Sequence, residues 1–234
     1  MSIAENIAGA RERIRTAAVR AGRDPGEITL MAVSKTFPAQ SIRDAYEAGI
    51  RIFGENRVQE FATKTDALRD LDDAHWHMIG HLQSNKASKA AELFHAVDSV
   101  DSLKLAAKLN DAARSAGKKL AVLIEVNVGG EAAKTGVTPD SPELEHLLAT
   151  APQLEHLEVR GLMTVPPFTD DPEAARPYFR KLRELRDQIA ARKLPAIPMG
   201  ALSMGMSHDF EVAIEEGSTC VRVGTAIFGN RRKA

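Results

Sequence analysis

The sequence predicts an α/β chain in which eight strands alternate with helices and close into a single (β/α)8 barrel of the TIM type. Eight short apolar runs follow one another along the 234 residues, and a segment with helical periodicity follows each run. No hairpin signal joins the runs. The strands are therefore expected to be parallel, because parallel strands need a crossover that a helix fills compactly. An open, doubly wound parallel sheet is the alternative.

The apolar runs give the boundaries of the expected strands. They lie at residues 29–34, 51–54, 76–80, 95–99, 120–127, 157–165, 200–205 and 220–224. Several runs are apolar on both faces, as a barrel wall requires when side-chain layers cover one face and helices cover the other. Roughly 200 residues are left for the repeating units, which is at the short end for this fold.

Two helices are marked by clear start signals. Residues 2–21 place isoleucines and alanines on one face, begin with a capping box formed by Ser2 and Glu5, and end at a glycine. This helix precedes the first strand and is additional to the eight repeating units. Before the seventh strand, Asp171 and Pro172 are suited to open a helix. Pro177 is expected to delay or kink it.

The composition is typical of a soluble globular protein. Thirty-one Lys and Arg residues against 32 Asp and Glu residues give a net charge of −1, which offers no electrostatic basis for binding nucleic acid or an anionic membrane. One cysteine excludes an internal disulfide, and the N-terminus lacks the apolar run of a signal peptide. We expect a cytoplasmic protein in which residues 1–234 form one domain and the basic end, residues 230–234, is solvated.

Functional groups of TIM barrels cluster at the carboxyl ends of the strands. Lys35 directly follows the first predicted strand, where apolar surroundings would disfavour its ammonium form. Such a lysine forms Schiff bases with aldehydes or ketones. The alternative is a lysine that extends to the barrel rim or pairs with a carboxylate such as Glu55.

The last two predicted strands end in glycine-containing segments, at residues 203–207 and 222–225. In these barrels the loops after strands seven and eight frequently bind phosphate through backbone N–H groups. Gly224 would let the backbone approach an anion, and the hydroxyls of Ser207 and Thr225 could add to the site. The alternative is that the glycines only end the strands.

Barrel closure would place strand eight beside strand one, so that one small molecule could contact both Lys35 and residues 224–225. A ligand with a carbonyl at one end and a phosphate at the other fits this arrangement. Pyridoxal 5'-phosphate (PLP) meets the description, and so does a sugar phosphate in a Schiff-base aldolase. Arg222 favours PLP, because an inward arginine could donate a hydrogen bond to the pyridine nitrogen.

Seven segments of the chain match a known family in order. They are AVSKTFP at 32–38, FGENRVQE at 53–60, HMIGHLQSNK at 77–86, VDSVDS at 97–102, RGLMTV at 160–165, LSMGMSHD at 202–209 and VRVGTAIFG at 221–229. With these segments the chain resembles the pyridoxal phosphate homeostasis proteins, relatives of the alanine racemase N-terminal barrel domain. The resemblance covers nearly the whole sequence and implies a barrel like that of fold-type III PLP proteins.

The resemblance also implies roles for individual residues. It implies that Lys35 carries PLP as a covalent aldimine and that Arg222 faces the ring nitrogen. The other cofactor-binding residues it implies are Asn56 in the pocket wall and Ser207, Gly224 and Thr225 at the phosphate. No metal site is expected.

Three positions qualify this match. Lys134, in the loop after the fifth strand, matches a lysine position of the family, where it either receives or relays the cofactor or is a solvated loop lysine. Phe37 stands where many members have a second lysine, and Arg57 where many have tyrosine. A role of that second lysine in cofactor exchange is therefore not carried over to this chain.

The function expected from the resemblance is that of a PLP carrier in intracellular vitamin B6 homeostasis, without substantial catalysis. Racemisation needs two acid–base groups on opposite faces of the cofactor, and Lys35 supplies only one. Tyr46 and Tyr178 fall in helical segments, and the related racemases take their second base from a β domain that this chain is too short to contain. An amino-acid racemase and a sugar-phosphate aldolase are the alternatives. PLP and PLP-accepting apo-enzymes are the expected partners of a monomer, with a dimer as the alternative state.

Overall fold

Eight parallel strands close into a barrel in the computed structural model, which describes residues 1–131, 134–195 and 197–230. The strands are β1 (Thr29–Val33), β2 (Ile52–Glu55), β3 (His75–Met78), β4 (Ala96–Val100), β5 (Leu120–Glu125), β6 (Leu157–Met163), β7 (Ala201–Met206) and β8 (Cys220–Val223). Each strand pairs with its neighbours in chain order, and β8 closes on β1 with Met31 opposite Arg222. The predicted barrel is confirmed and the open sheet is excluded. Most of the basic end, residues 231–234, lies outside the described residues.

Helices pack around this barrel wall. They are α1 (Ile3–Arg20), α2 (Ala39–Glu47), α3 (Val58–Ala62), α4 (Thr65–Leu68), α5 (Ala87–Leu93), α6 (Leu103–Ser115), α7 (Pro142–Thr150), α8 (Arg176–Ala191), α9 (Phe210–Glu215) and α10 (Thr225–Phe228). Among the described residues, none of the helices has the length and apolar character needed to cross a membrane.

The apolar core lies between the strands and these helices. Near β2 and β3 it is aromatic: the Trp76 ring lies 5.0 Å from Phe53 and 4.8 Å from Phe61, and the Phe61 ring lies 5.0 Å from Phe94. Each such pair contributes about 0.5–1.5 kcal/mol beyond the burial of its area. This cluster fixes α3 against the barrel wall.

The N-terminal helix α1 begins as the sequence predicts. The Glu5 N–H donates to the Ser2 hydroxyl at 3.2 Å, and the Ser2 N–H donates to the Glu5 carboxylate at 2.7 Å. The helix packs against α2, α9 and α10, and the Asn6 side-chain amide donates to the Ile227 carbonyl at 2.8 Å. The additional helix therefore braces α10 from outside the barrel.

Pro177 delays helix α8 rather than kinking it. Asp171 accepts a hydrogen bond from the Glu173 N–H at 3.0 Å and caps a short 3-10 turn at Pro172–Ala175. Helix α8 then begins at Arg176, so Pro177 lies in its first turn. A proline is tolerated there because the N–H groups of a first turn have no intrahelical acceptor.

The connection from β7 to α9 depends on Gly205, which has a φ of +92°. A Cβ at this position would lie 2.5 Å from the Ala213 Cβ and 2.9 Å from the Phe210 Cα. Only glycine adopts this positive φ without strain and leaves room for Ala213 and Phe210. The tight connection brings residues 206–209 to the carboxyl ends of the strands, where the candidate site lies.

Candidate functional site

A pocket of about 550 Å³ opens at the carboxyl ends of the strands. Its volume is in the usual range for small-molecule sites. It is lined by all six residues proposed from the sequence: Lys35, Asn56, Ser207, Arg222, Gly224 and Thr225. These residues come from opposite ends of the chain, and the closure of β8 on β1 brings them together.

Lys35 is partly buried and is the second residue after the end of β1. Val33 and Lys35 both line the pocket. Ser34, between them, is fully buried, and its hydroxyl donates to Glu55 Oε1 at 2.7 Å. Alternate residues of an extended chain point to opposite sides, so Lys35 lies on the pocket side. The Glu55 carboxylate, considered above as a partner of Lys35, binds Ser34 and Lys64.

Backbone N–H groups converge at the other end of the pocket. Ser207 Oγ accepts hydrogen bonds from the Gly224 N–H at 3.1 Å and the Ala226 N–H at 3.4 Å. Gly224 is partly buried and Thr225, the first residue of α10, is exposed. The two N–H groups orient Ser207 Oγ at the start of α10, so the Ser207 hydroxyl can donate its proton to an anion beside Gly224 and Thr225.

Arg222 is buried in the pocket wall, with 4% of its surface exposed. Its Nη1 donates to Ser203 Oγ and its Nη2 to the Thr164 carbonyl, both at 2.7 Å. Both acceptors are neutral. Burial lowers the pKa of Arg222, and nearby groups, Cys220 and Asp98 foremost, oppose that effect. An arginine stays protonated in proteins, so the pocket contains a fixed positive charge.

Glu125 is a pocket residue that the sequence analysis missed. It ends β5, is 7% exposed, and accepts a hydrogen bond from the Thr135 hydroxyl at 2.8 Å. Within the described part of the chain, its other oxygen, Oε2, is buried without a hydrogen-bond partner. Burial raises the pKa of this carboxyl group, and the bond from Thr135 opposes that rise.

Glu125 was missed because the predicted end of the fifth strand lies too far along the chain. The sequence places that end at Asn127, whereas β5 ends at Glu125. The Asn127 side chain bonds its own loop, to Gly130 N–H at 3.0 Å and the Glu131 carbonyl at 2.9 Å. The signal that could have found Glu125 is a single carboxylate inside the apolar run 120–126.

Asn56 forms part of the pocket wall, where it packs tightly on Gly80. A Cβ at Gly80 would lie 2.4 Å from Asn56 Oδ1 and 2.5 Å from the Asn56 carbonyl oxygen. The Ser99 hydroxyl donates to the Gly80 carbonyl at 2.7 Å and holds the end of β3 in place. The lack of a side chain at Gly80 therefore permits the position of Asn56.

Two of the three positions discussed with the family match, Lys134 and Phe37, line the pocket, and the third, Arg57, does not. Lys134 lines the pocket and forms an ion pair with Glu131 at 2.6 Å. Phe37 lines it too, and its ring stacks on Phe228 with centroids 4.8 Å apart. Arg57 is exposed at the start of α3 and is not a lining residue.

Comparisons with known proteins agree with this geometry. A family model described as alanine racemase, N-terminal domain, matches residues 6–232. A pyridoxal phosphate homeostasis protein of Aquifex aeolicus is 47% identical over 232 residues, which cover 99% of this chain and 100% of the relative. The chain belongs to the pyridoxal phosphate homeostasis protein family. Among solved structures, PipY of Synechococcus elongatus with PLP bound is 38% identical, with a TM-score of 0.84, and the match covers 97% of this chain and 100% of PipY.

Alanine racemases share the fold of the pyridoxal phosphate homeostasis proteins. The Streptomyces coelicolor enzyme is 22% identical with a TM-score of 0.69, and the match covers 97% of this chain and 58% of the racemase. At that identity the similarity concerns the barrel alone. The family resemblance drawn from the seven sequence segments is confirmed.

An exposed aromatic residue borders the pocket. Phe168, in the loop after β6, is 76% exposed, and its ring centroid lies 5.8 Å from that of His208. Val165 beside it is also exposed, and all three residues line the pocket. This loop has no helical or strand periodicity from which the position of Phe168 could be predicted.

Proposed function

We propose that this protein binds PLP in the pocket through a Schiff-base linkage to Lys35 and acts as a PLP carrier in vitamin B6 homeostasis, without substantial catalysis. The observation that carries the proposal is one pocket that combines a lysine, a buried guanidinium with neutral partners and a group of convergent backbone N–H groups. The names of the relatives support it, since the Aquifex protein is called a pyridoxal phosphate homeostasis protein and PipY binds PLP.

The donor groups of the pocket fit the chemistry of PLP. When bound, PLP supplies an aldehyde that condenses with amines and a pyridine ring that withdraws electrons. Lys35 provides the amine. Ser207 Oγ accepts from the Gly224 and Ala226 N–H groups, so its hydroxyl proton can donate to a phosphate, as can that of Thr225, and Gly224 lets the backbone approach the anion. Asn56 contributes to the wall between these ends.

Arg222 favours PLP as the ligand of the pocket. Ser203 and the Thr164 carbonyl orient its guanidinium, which has donors left to direct at a ring nitrogen. An arginine cannot give up its proton at neutral pH, so it would keep that nitrogen unprotonated and the ring a weak electron sink. This supports PLP over a sugar phosphate, which has no ring nitrogen to accept such a bond.

The positions of the tyrosines favour a carrier over a racemase. Tyr46 lies in α2, where its hydroxyl bonds Asp73, and Tyr178 lies in α8. Neither is a lining residue of the pocket. Glu125, Asp209, His81 and His208 also line the pocket, and an assay must check whether these titratable residues support turnover. The family names favour PLP over the sugar phosphate of an aldolase.

The site is tested on the purified protein by its absorbance and by borohydride reduction. We expect a visible chromophore and, after reduction and proteolysis, a PLP adduct on the peptide that contains Lys35. Lys35→Ala should lose the chromophore, whereas the matched variant Lys134→Ala should keep it. An adduct confined to another lysine, or no adduct, would overturn the site. Racemisation of alanine at ~1–1000 per second, an ordinary enzyme rate, would overturn the carrier.

The remaining parts of the proposal concern the setting of the protein. We propose that a monomer, with residues 1–234 as one domain, delivers PLP to apo-enzymes in the cytoplasm. Mixing the PLP-loaded protein with a PLP-free apo-enzyme should restore the activity of that enzyme. With a trap for free PLP present, the loaded protein should restore the activity faster than the same concentration of free PLP does. A rate equal to that of free PLP would count against delivery.

A further inference from the structure

Three charged residues form a cluster behind β1, on the opposite side of the strand from the pocket, in which Glu55 is buried and Lys64 and Glu60 are partly buried. Lys64 Nζ lies 3.2 and 3.3 Å from the two carboxylate oxygens of Glu55 and 2.8 Å from Glu60 Oε1. The Lys64 side chain is 10% exposed and that of Glu55 is fully buried. Buried charges of this kind persist only where they are paired and hydrogen-bonded, so the cluster constrains the backbone around it.

The cluster binds both residues that flank Lys35. On one side, the Ser34 hydroxyl donates to Glu55 Oε1 at 2.7 Å, and Lys64 Nζ donates to the Ser34 carbonyl at 3.2 Å. On the other side, the Thr36 N–H donates to Glu60 Oε1 at 2.5 Å. Lys35 is therefore the middle residue of a segment whose two ends are bound to one ionic cluster.

Thr36 adopts a strained conformation that this binding compensates. Its φ of +67° is in the left-handed region, which a β-branched residue rarely adopts. Such a conformation costs conformational energy and persists only where surrounding contacts determine it. The bond from the Thr36 N–H to Glu60 is a contact that does so, and it turns the chain immediately after Lys35.

Lys64 also favours the ionised form of the two carboxyl groups, which accepts these hydrogen bonds. Burial raises the pKa of Glu55, and the charge of Lys64 is the largest opposing effect. Burial alone would raise the pKa of Glu60 as well, but the hydrogen bonds from Lys64 and Thr36 outweigh it and lower that pKa. Without the ammonium group, the buried Glu55 carboxylate would lose the cation that pairs with it.

We propose that Glu55, Glu60 and Lys64 are positioning residues for Lys35. They fix the backbone at Ser34 and Thr36, hold the Lys35 side chain in its direction into the pocket, and thereby slow the release of PLP from it. The inference rests on the proposed function, since it concerns the linkage of PLP to Lys35. A site residue held by a bound backbone retains its geometry better than one on an unconstrained loop.

The test compares PLP release from wild type and variants into excess hydroxylamine, followed through the loss of protein-bound absorbance. Glu60→Ala should release PLP about tenfold faster or more, because a Lys35 amine displaced by the order of 1 Å re-forms its linkage to PLP more slowly by such factors, and hydroxylamine then competes better. Glu60→Gln should restore most of the wild-type rate, since its amide oxygen can still accept from the Thr36 N–H. Ser34→Ala, a small change expected to fold, should also accelerate release.

Glu216→Ala is the matched control. Glu216 is likewise a buried carboxylate, 4% exposed, and it pairs with Arg176, Arg180 and Arg183 at the end of the barrel where β8 begins. Its loss should lower the unfolding temperature and leave PLP release unchanged. The inference is overturned if Glu60→Ala and Ser34→Ala release PLP at the wild-type rate, or if Glu216→Ala accelerates release equally. A wild-type protein that binds no PLP would instead contradict the proposed function.

Discussion

Lys35 lies in the pocket because successive side chains at the end of β1 alternate between the two sides of the strand. Val33 and Lys35 line the pocket, whereas Ser34 is buried against Glu55 behind the strand. A shift of one residue in the register of β1 would exchange these two sets, placing a hydroxyl in the pocket and an ammonium in a buried site. The pairing of Thr29–Ala32 with Cys220–Val223 of β8 therefore sets the chemistry of the pocket as well as its shape.

Gly80 provides the sharpest test of the pocket wall at the level of one residue. Gly80→Ala would place a Cβ 2.4 Å from Asn56 Oδ1 and 2.5 Å from the Asn56 backbone oxygen, so one of the two strand ends must move. We expect a loss of about 1–3 kcal/mol in the free energy of unfolding and weaker PLP binding. Urea unfolding and a PLP titration measure the two effects.

Gly200→Ala is the control for this substitution. A Cβ at Gly200 meets nothing within 4 Å, so the free energy of unfolding should change by no more than about 0.5 kcal/mol and PLP binding should stay as in wild type. Equal stability of the Gly80→Ala and Gly200→Ala variants would contradict the close contact with Asn56.

The six proposed residues could be found from the sequence because each lies at or just beyond a strand end, and the strand ends follow from hydrophobic periodicity. Glu125 was missed because a shift of two residues in one strand end moved it from the pocket to the strand interior. Lys64 and Glu60 could not be connected with Lys35, because the contact depends on how α3 and α4 pack behind β1. The roles of the six residues toward PLP stay predictions.

At the level of elements, α1 supports the end of the pocket where a phosphate would bind. Its Asn6 side chain bonds the Ile227 carbonyl of α10, and Gly224 and Thr225 begin that short helix. A helix of four residues has little stability of its own. Its position therefore depends on contacts with neighbouring elements, and α1 supplies them from outside the barrel.

Asn6→Ala tests this support. We expect the free energy of unfolding to fall by about 0.5–1.5 kcal/mol, the usual contribution of one hydrogen bond, and PLP affinity to fall with it. Gly9→Ala, on the exposed face of the same helix where a Cβ meets nothing within 4 Å, should instead stabilise α1 by about 0.5–1 kcal/mol. It should leave PLP affinity unchanged. If Asn6→Ala lowers stability alone, α1 does not act on the phosphate end.

The order of the elements could be read from the sequence more reliably than their ends. All eight strands were predicted within two residues of their observed limits, because each apolar run is bounded by polar or turn residues. Closure of β8 on β1 was an inference from the number of units, and only the register of the two strands establishes it. The 3-10 turn before α8 was not predicted, since it depends on the Asp171 cap and the position of Pro177 together.

For the whole molecule, a net charge of −1 hides two distinct populations of carboxyl groups. On the outside, carboxylates pair with arginines, as Glu173 does with Arg176, and that hydrogen bond lowers the pKa of Glu173. Around the barrel mouth lies a second population, in which burial raises the pKa: Glu55, Glu125 and Asp209. The two populations make opposite contributions to stability as the pH changes.

The buried carboxyl groups predict that the free energy of unfolding declines as the pH rises. A substitution of Glu125 tests this for one of them. A carboxyl group whose pKa is higher in the folded than in the unfolded state binds its proton more tightly when folded. Its contribution is complete below the unfolded value, about 4.3 for glutamate, and is lost as the pH rises through the folded value. Glu125→Gln removes this loss because an amide does not titrate.

We therefore expect the PLP-free Glu125→Gln protein to gain stability relative to wild type as the pH rises from about 5 to 8, by urea unfolding at a series of pH values. Thr135→Val removes a hydrogen bond that lowers the pKa of Glu125, so the decline should extend to higher pH in that variant. A constant difference between Glu125→Gln and wild type over this range would show that Glu125 titrates alike in the folded and unfolded chain. In that case burial at the barrel mouth would not raise its pKa, and Glu125 would be as well solvated as the carboxylates outside.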